Sequence, residues 1–258
     1  MSLPLTPFTI IGATLTIYLG FRTNTAYGRW WEARTLWGGI VNQSRTLVRQ
    51  AIVFTGTKED ISPFARDIAH WQIALVNAVR FHLRQTNSVE EIIPYLRSEE
   101  IEALHGHQNI PVAILQKMGL LLRHAYHDGL MDSIQLTNID DTLRNLTDML
   151  GGCERIKNTP LPRQYDVIPQ LAIYFYACLL PFGLVSTLHF WTPIVSFLIT
   201  FLFIAMDSIG RNIEDPFDNT VHDTPITALC RTIEINLLQM IGEKDIPEPI
   251  KPIHGVLH

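Results

Sequence analysis

Side chains able to do chemistry are few and scattered in this sequence. His124-x-x-His127-Asp128 and His105-Gly106-His107 have ligand-like spacing, and two histidines three apart on a helix reach a common zinc ion. Tyr126 to Gly129 reads as a helix end, however, and no third ligand stands nearby, so exposed loop histidines are the better reading. The stretch Asp215 to Asp223 gathers several carboxylates, which keeps a membrane-embedded metal-dependent enzyme as an alternative from another class. No nucleophile–base pair, phosphate loop or heptad seam accompanies these groups, and no metal or cofactor is expected. Cys153, Cys178 and Cys230 are far apart and odd in number, which gives no disulfide framework and fits a reducing compartment. Trp30, Trp31 and Trp37 suit an interfacial belt better than stacking on a ligand cation. Arg29 and Glu32 read as a structural pair.

The elements that must carry these residues follow from where charge is absent. No Asp, Glu, Lys or Arg occurs between Asp166 and Asp207, a run of 40 residues, and the first 21 residues are uncharged up to Arg22. Forty residues of helix would span about 60 Å, twice the ~30 Å of a bilayer core, so the run reads as two membrane spans. Their junction is expected near Ser186 to His189, with Phe190 and Trp191 at the interface and Pro193 opening the returning helix. Pro169 is expected at the start of the first span and Pro181 inside it, where it should kink the helix. Arg155, Lys157, Arg163 and Arg211 flank the outer ends, which places both on the cytoplasmic side. Leu3 to Gly20 reads as a further span ending at Arg22, Arg29 and Arg34, without the basic start of a signal peptide. A three-span chain with an exported N-terminus is awkward, and another span is expected upstream.

Water-facing patterns fill the remainder. Ser62-Pro63 starts a helix whose Phe64, Ile68, Trp71, Leu75, Val79 and His82 recur on one buried face. Thr224-Pro225 gives the same start signal before Leu229, Ile233, Leu237 and Ile241, a stripe that Gly242 ends. Asn109 to Tyr126 and Ile134 to Ile156 read as helices too, and the proline-bearing tail from Lys244 reads as extended and able to wrap a neighbouring subunit. A formal charge of −5 argues against a nucleic-acid partner.

Three blocks resemble the bestrophin family in its bacterial branch. They are Leu19-Gly20-Phe21-Arg22-Thr23-Asn24-Thr25-Ala26-Tyr27-Gly28-Arg29-Trp30-Trp31-Glu32-Ala33-Arg34, Gly151-Gly152-Cys153-Glu154-Arg155-Ile156, and Ile213-Glu214-Asp215-Pro216-Phe217. The resemblance implies an all-α membrane protein, a subunit of a homopentameric channel with a helical cytosolic domain. Counted back from Arg29-Trp30-Trp31, it implies a pore neck at Phe21, Ile17 and Ala13, the last smaller than the bulky residue expected there. Independently, that four-residue spacing puts all three on one helix face, where apolar rings impede ions by dewetting; helix–helix packing gives the same stripe. A second, cytosolic constriction is implied at Ile134, after Asp132-Ser133. The family's first membrane helix is not found before Leu3. The calcium clasp of animal members is not carried over, because Asp215 to Asp223 has far fewer carboxylates.

These readings divide the chain into a pore-lining membrane helix with neck (1–28), a mainly cytosolic helical region (29–165), a two-span hairpin (166–210), and a cytosolic helix with tail (211–258). The expected function is an ion channel for small monovalent ions in a bacterial cytoplasmic membrane, its partners being four further copies, the bilayer and the ions. An apolar neck carries no charge with which to choose a sign. The net charge of −5 per subunit leans the expectation toward Na⁺ and K⁺ over Cl⁻. Anion selectivity and a non-conducting scaffold are the alternatives.

Overall fold

The computed structural model describes residues 4–56, 60–86, 92–104, 106–252 and 255, and every regular element among them is a helix. The eight α-helices are α1 (Thr6–Thr55), α2 (Pro63–Arg84), α3 (Ser98–Leu104), α4 (Ile110–His127), α5 (Ser133–Asn158), α6 (Gln164–Leu188), α7 (Thr192–Asn212) and α8 (Ile226–Met240). The chain forms two compact units, one of residues 1–32 and 159–216, the other of residues 33–158 and 217–258. Helix α1 contributes to both.

In the first unit α6 and α7 make a hairpin joined by a 3₁₀ turn at His189–Trp191, with His189 at φ 41°. The segment Gln164–Asn212 is long and apolar enough to cross a membrane. Its helices of 25 and 21 residues are each about 30–38 Å long, so either matches a bilayer core. Pro193 stands in the first turn of α7. Pro169 lies inside α6 rather than at its start, because the helix already begins at Gln164. A small apolar core of Phe8, Leu15, Leu19, Tyr176, Leu180 and Phe203 ties α1 to the hairpin. The approach is close: a Cβ on Gly183 would lie 2.5 Å from the Phe8 ring, and one on Gly12 2.8 Å from the Tyr176 hydroxyl. Small residues permit such packing where lipid supplies no hydrophobic drive between helices. The hydroxyls of Thr9, Thr14, Thr16 and Thr25 donate to carbonyls one turn back, which satisfies them within the helix.

The second unit has the larger core, built from the rest of α1 with α2, α4, α5 and α8. Ser62 caps α2 by accepting from the Ala65 amide, and Asn109 caps α4 through Val112. The expected single buried face of α2 is too narrow a description, since Trp71 to Phe81 is buried without interruption. Thr224 does not cap α8; its hydroxyl is buried without a hydrogen bond, and Pro225 precedes the first turn. Burial, followed by its bond to Glu234, raises the Tyr95 phenol above its ordinary range.

Trp37 corrects the aromatic belt. Its side chain is fully buried in the second unit's core, and its indole N–H finds no acceptor. Trp37→Ala should therefore lower stability by about 3–5 kcal/mol. Trp37→Phe should cost far less than Trp37→Ala, because it removes the orphaned donor while retaining an aromatic ring. Chemical unfolding of the purified protein in detergent, followed by near-UV circular dichroism, separates the two.

Candidate functional site

Helix α1 enters the first unit with two opposed faces. Phe8, Gly12, Leu15, Leu19, Arg22 and Ala26 are buried, at alternating intervals of four and three. Ala13, Ile17 and Phe21 are exposed, Ile17 at 61% and Phe21 at 69%. At 3.6 residues per turn the centres of the two sets lie about 180° apart. The expected neck residues thus project away from the packing that holds the helix. Ile134 is also exposed, at 72%, in the first turn of α5. That turn is fixed by a reciprocal cap: Asp132 accepts from the Gln135 amide at 2.8 Å, and the Gln135 side chain accepts from the Asp132 amide at 2.9 Å.

One basic residue is folded into the buried face. Arg22, whose side chain is 1% exposed, donates through Nη1 to Asp207 and through Nη2 to Asp166 at 2.8 Å and Glu214 at 3.4 Å. Arg211 joins the group, with Nε 2.9 Å from Asp207 and Nη1 3.2 Å from Asp166. Two guanidiniums therefore face three carboxylates, a net charge of −1. Asp166 stands at the start of α6 and Asp207 near the end of α7. Folding the hairpin brings the acids that bound its uncharged run back to one place, onto the residue that ends the first uncharged stretch. Sequence reading placed Arg22 and Arg211 only as interfacial flanks and missed the cluster. The available signal was that one Arg and two acids sit at equivalent ends of three apolar stretches.

Nearby, Arg29 donates to the backbone carbonyls of Glu214 and Thr159 at 3.1 and 2.6 Å, which fixes the segment before α6 and the segment after α7. Tyr27 stacks on Trp30 and on Trp31 with ring centres 6.1 and 6.4 Å apart. The His124–His127 pattern does not assemble a site, both side chains being exposed in the last turn of α4. The other pattern includes His105, which lies outside the described residues. Among the described residues no three His, Cys, Asp or Glu side chains converge as metal ligands.

Removing Arg22 while leaving its acids in place should be costly. Arg22→Met is expected to destabilise the protein by on the order of 3 kcal/mol, because a buried pair is broken from one side. Arg22→Met combined with Asp207→Leu should recover part of that loss. Thermal unfolding in detergent, read by loss of the assembled peak in size-exclusion chromatography, measures both.

The sequence model of the family described as "Bacterial/Fungal Bestrophin protein" matches residues 1–239. The voltage-dependent anion channel-forming protein YneE of Escherichia coli K12 is 38% identical over 248 residues, covering 96% of this chain and 80% of the relative. The voltage-dependent anion channel-forming protein RSc3414 of Ralstonia nicotianae is 33% identical over 249 residues, covering 95% and 80%. The crystal structure of a bacterial bestrophin homologue from Klebsiella pneumoniae superposes with a TM-score of 0.90 at 34% identity, covering 95% of this chain and 90% of that one.

Proposed function

Because the chain belongs to the bacterial and fungal bestrophin family, we propose that five copies assemble in the bacterial cytoplasmic membrane around one ion-conducting pore. It is a channel and not an enzyme. The neck is formed by Ala13, Ile17 and Phe21, with a second constriction at Ile134. The observation that carries this reading is the exposure of Ile17 and Phe21 on the side of α1 opposite its packed stripe. Large apolar side chains left uncovered in one copy are covered when copies meet around an axis. There they form rings that water leaves readily, and a dry constriction is a barrier to ions. The exposed Phe175, Phe182, Phe197 and Phe201 of the hairpin supply apolar surface for lipid or neighbouring subunits. The second unit lies on the cytoplasmic side, where Arg155 and Lys157 precede the hairpin.

On ion sign the earlier leaning gives way. It rested on the formal charge of −5, and the relatives are named as anion channel-forming. The unit that carries the neck has 4 Lys and Arg against 5 Asp and Glu, close to neutral, so it offers little ground for excluding anions. The remaining −4 belongs to the other unit, and it is what favours cation passage as the competing reading. We take the conducted ions to be anions such as chloride.

Ile17→Ala and Phe21→Ala should each raise ion flux into liposomes while leaving the assembly's size unchanged. Variants that assemble normally and conduct like the parent would remove the neck assignment. Sign is decided separately, by the reversal potential in an asymmetric KCl gradient. A value near the chloride equilibrium potential is expected, and one near the potassium potential would restore the cation reading.

A further inference from the structure

For Ile17 and Phe21 to face one way, something must fix the rotation of α1 about its own axis. Apolar packing alone specifies it weakly. Phe8, Leu15 and Leu19 meet a hairpin surface of similar side chains, closely at Gly183. Apolar contacts are non-directional, however, and can be exchanged for other apolar contacts more cheaply than a buried charge can change partners. A buried guanidinium does not slide. Moving Arg22 away from Asp207 leaves charges in an apolar surround without partners, a penalty of several kcal/mol.

We infer that Arg22 is the positioning residue of the neck, and that its ion pairs to Asp207, Asp166 and Glu214 lock the rotational setting of the α1 turn that carries Phe21. Five observations support this. Arg22 follows Phe21 directly, so turning one turns the other. Its side chain is 1% exposed, which leaves it no alternative partner in water. Its partners come from three separate places, the start of α6, the end of α7 and the segment after α7, so the lock references α1 to both hairpin helices. Arg211 grips Asp207 and Asp166 from the other side, at 2.9 and 3.2 Å, so the carboxylates are themselves held when Arg22 reaches them. Close backbone approach completes the contact: a Cβ on Gly210 would lie 3.3 Å from Thr23 Oγ1, one residue past Arg22.

The inference rests on the neck reading proposed above, and its test keeps the two apart. Asp207→Asn preserves shape and removes one charge from the lock. Arg22→Lys keeps the charge and loses the fork that reaches separate carboxylates. Each is made in the parent and in an Ile17→Ala/Phe21→Ala background, and flux is measured in liposomes beside the size of the detergent-solubilised assembly. With the neck intact, Asp207→Asn should raise flux about threefold or more, the low end of coupling within one ion-pair network, and Arg22→Lys should act in the same direction. With the neck removed, neither should change flux appreciably, because there is no barrier left to position. A merely structural role would give the same factor in both backgrounds, or loss of assembly with both variants, and either outcome overturns the inference. Unchanged flux with the neck intact overturns it too. If Ile17→Ala/Phe21→Ala itself conducts like the parent, the neck reading has failed instead, and the lock falls with it.

Discussion

A buried arginine can exist in an apolar unit only if acids surround it, and in this chain that condition organises the membrane part. Arg22 sits among Leu19, Ala26 and the hairpin, where a lone charge would cost far more than any packing gain. Its partners Asp166 and Asp207 stand at the two ends of an uncharged stretch of 40 residues. They meet only if that stretch folds back on itself once, with both charged ends on the same side. The pairing, the hairpin and the return of both charged ends to one side are thus one constraint stated three ways. Arg211 and Glu214 extend the same group and bring in the segment that leads out of the last span.

Around that group the rest of the unit is built for close approach on one side and for something else on the other. Gly12 and Gly183 let α1 and α6 come together where a methyl group would collide with a neighbour, and at Gly210 of α7 a methyl group would sit tightly against Thr23 of α1. On their outer sides the same helices expose Phe175, Phe182, Phe197, Phe201, Ile17 and Phe21. A single copy in water would be unstable with so much apolar surface bare, which fits a molecule that meets lipid and further copies of itself. The second unit differs in having a larger continuous core and helices capped by Ser62 and Asn109.

Much of this was legible in the sequence, wherever local physics decides. The hairpin break at His189–Trp191 follows from a run too long for one span. The starts of α2 and α4 follow from Ser62-Pro63 and Asn109, whose side chains cap what they precede. The face shared by Ala13, Ile17 and Phe21 follows from spacing alone. What was not legible depended on distance along the chain. Arg22 meets acids 144, 185 and 192 residues away, and a basic residue closing an apolar stretch looks the same whether it meets lipid headgroups or a carboxylate. Trp37 was misplaced for a related reason. It follows two tryptophans suited to an interface, yet Ala33, Trp37, Ile40, Val41, Ser44, Leu47 and Val48 continue a buried stripe that leads into the core of the second unit. Pro169 was misread as a helix start because its missing amide says nothing of the residues before it.

The central claim is that the exposed face of α1 meets its own copies around an axis. Disulfide trapping tests it most directly. Cys153 and Cys230 are buried and Cys178 is exposed, so Cys178→Ser gives a background with no accessible thiol. Ile17→Cys in that background should cross-link between subunits on mild oxidation in membranes, giving covalent dimers on denaturing gels. Leu19→Cys, at a fully buried position on the opposite side, should not. Dimers from Leu19→Cys together with none from Ile17→Cys would place the other face of α1 toward its neighbours and contradict the account.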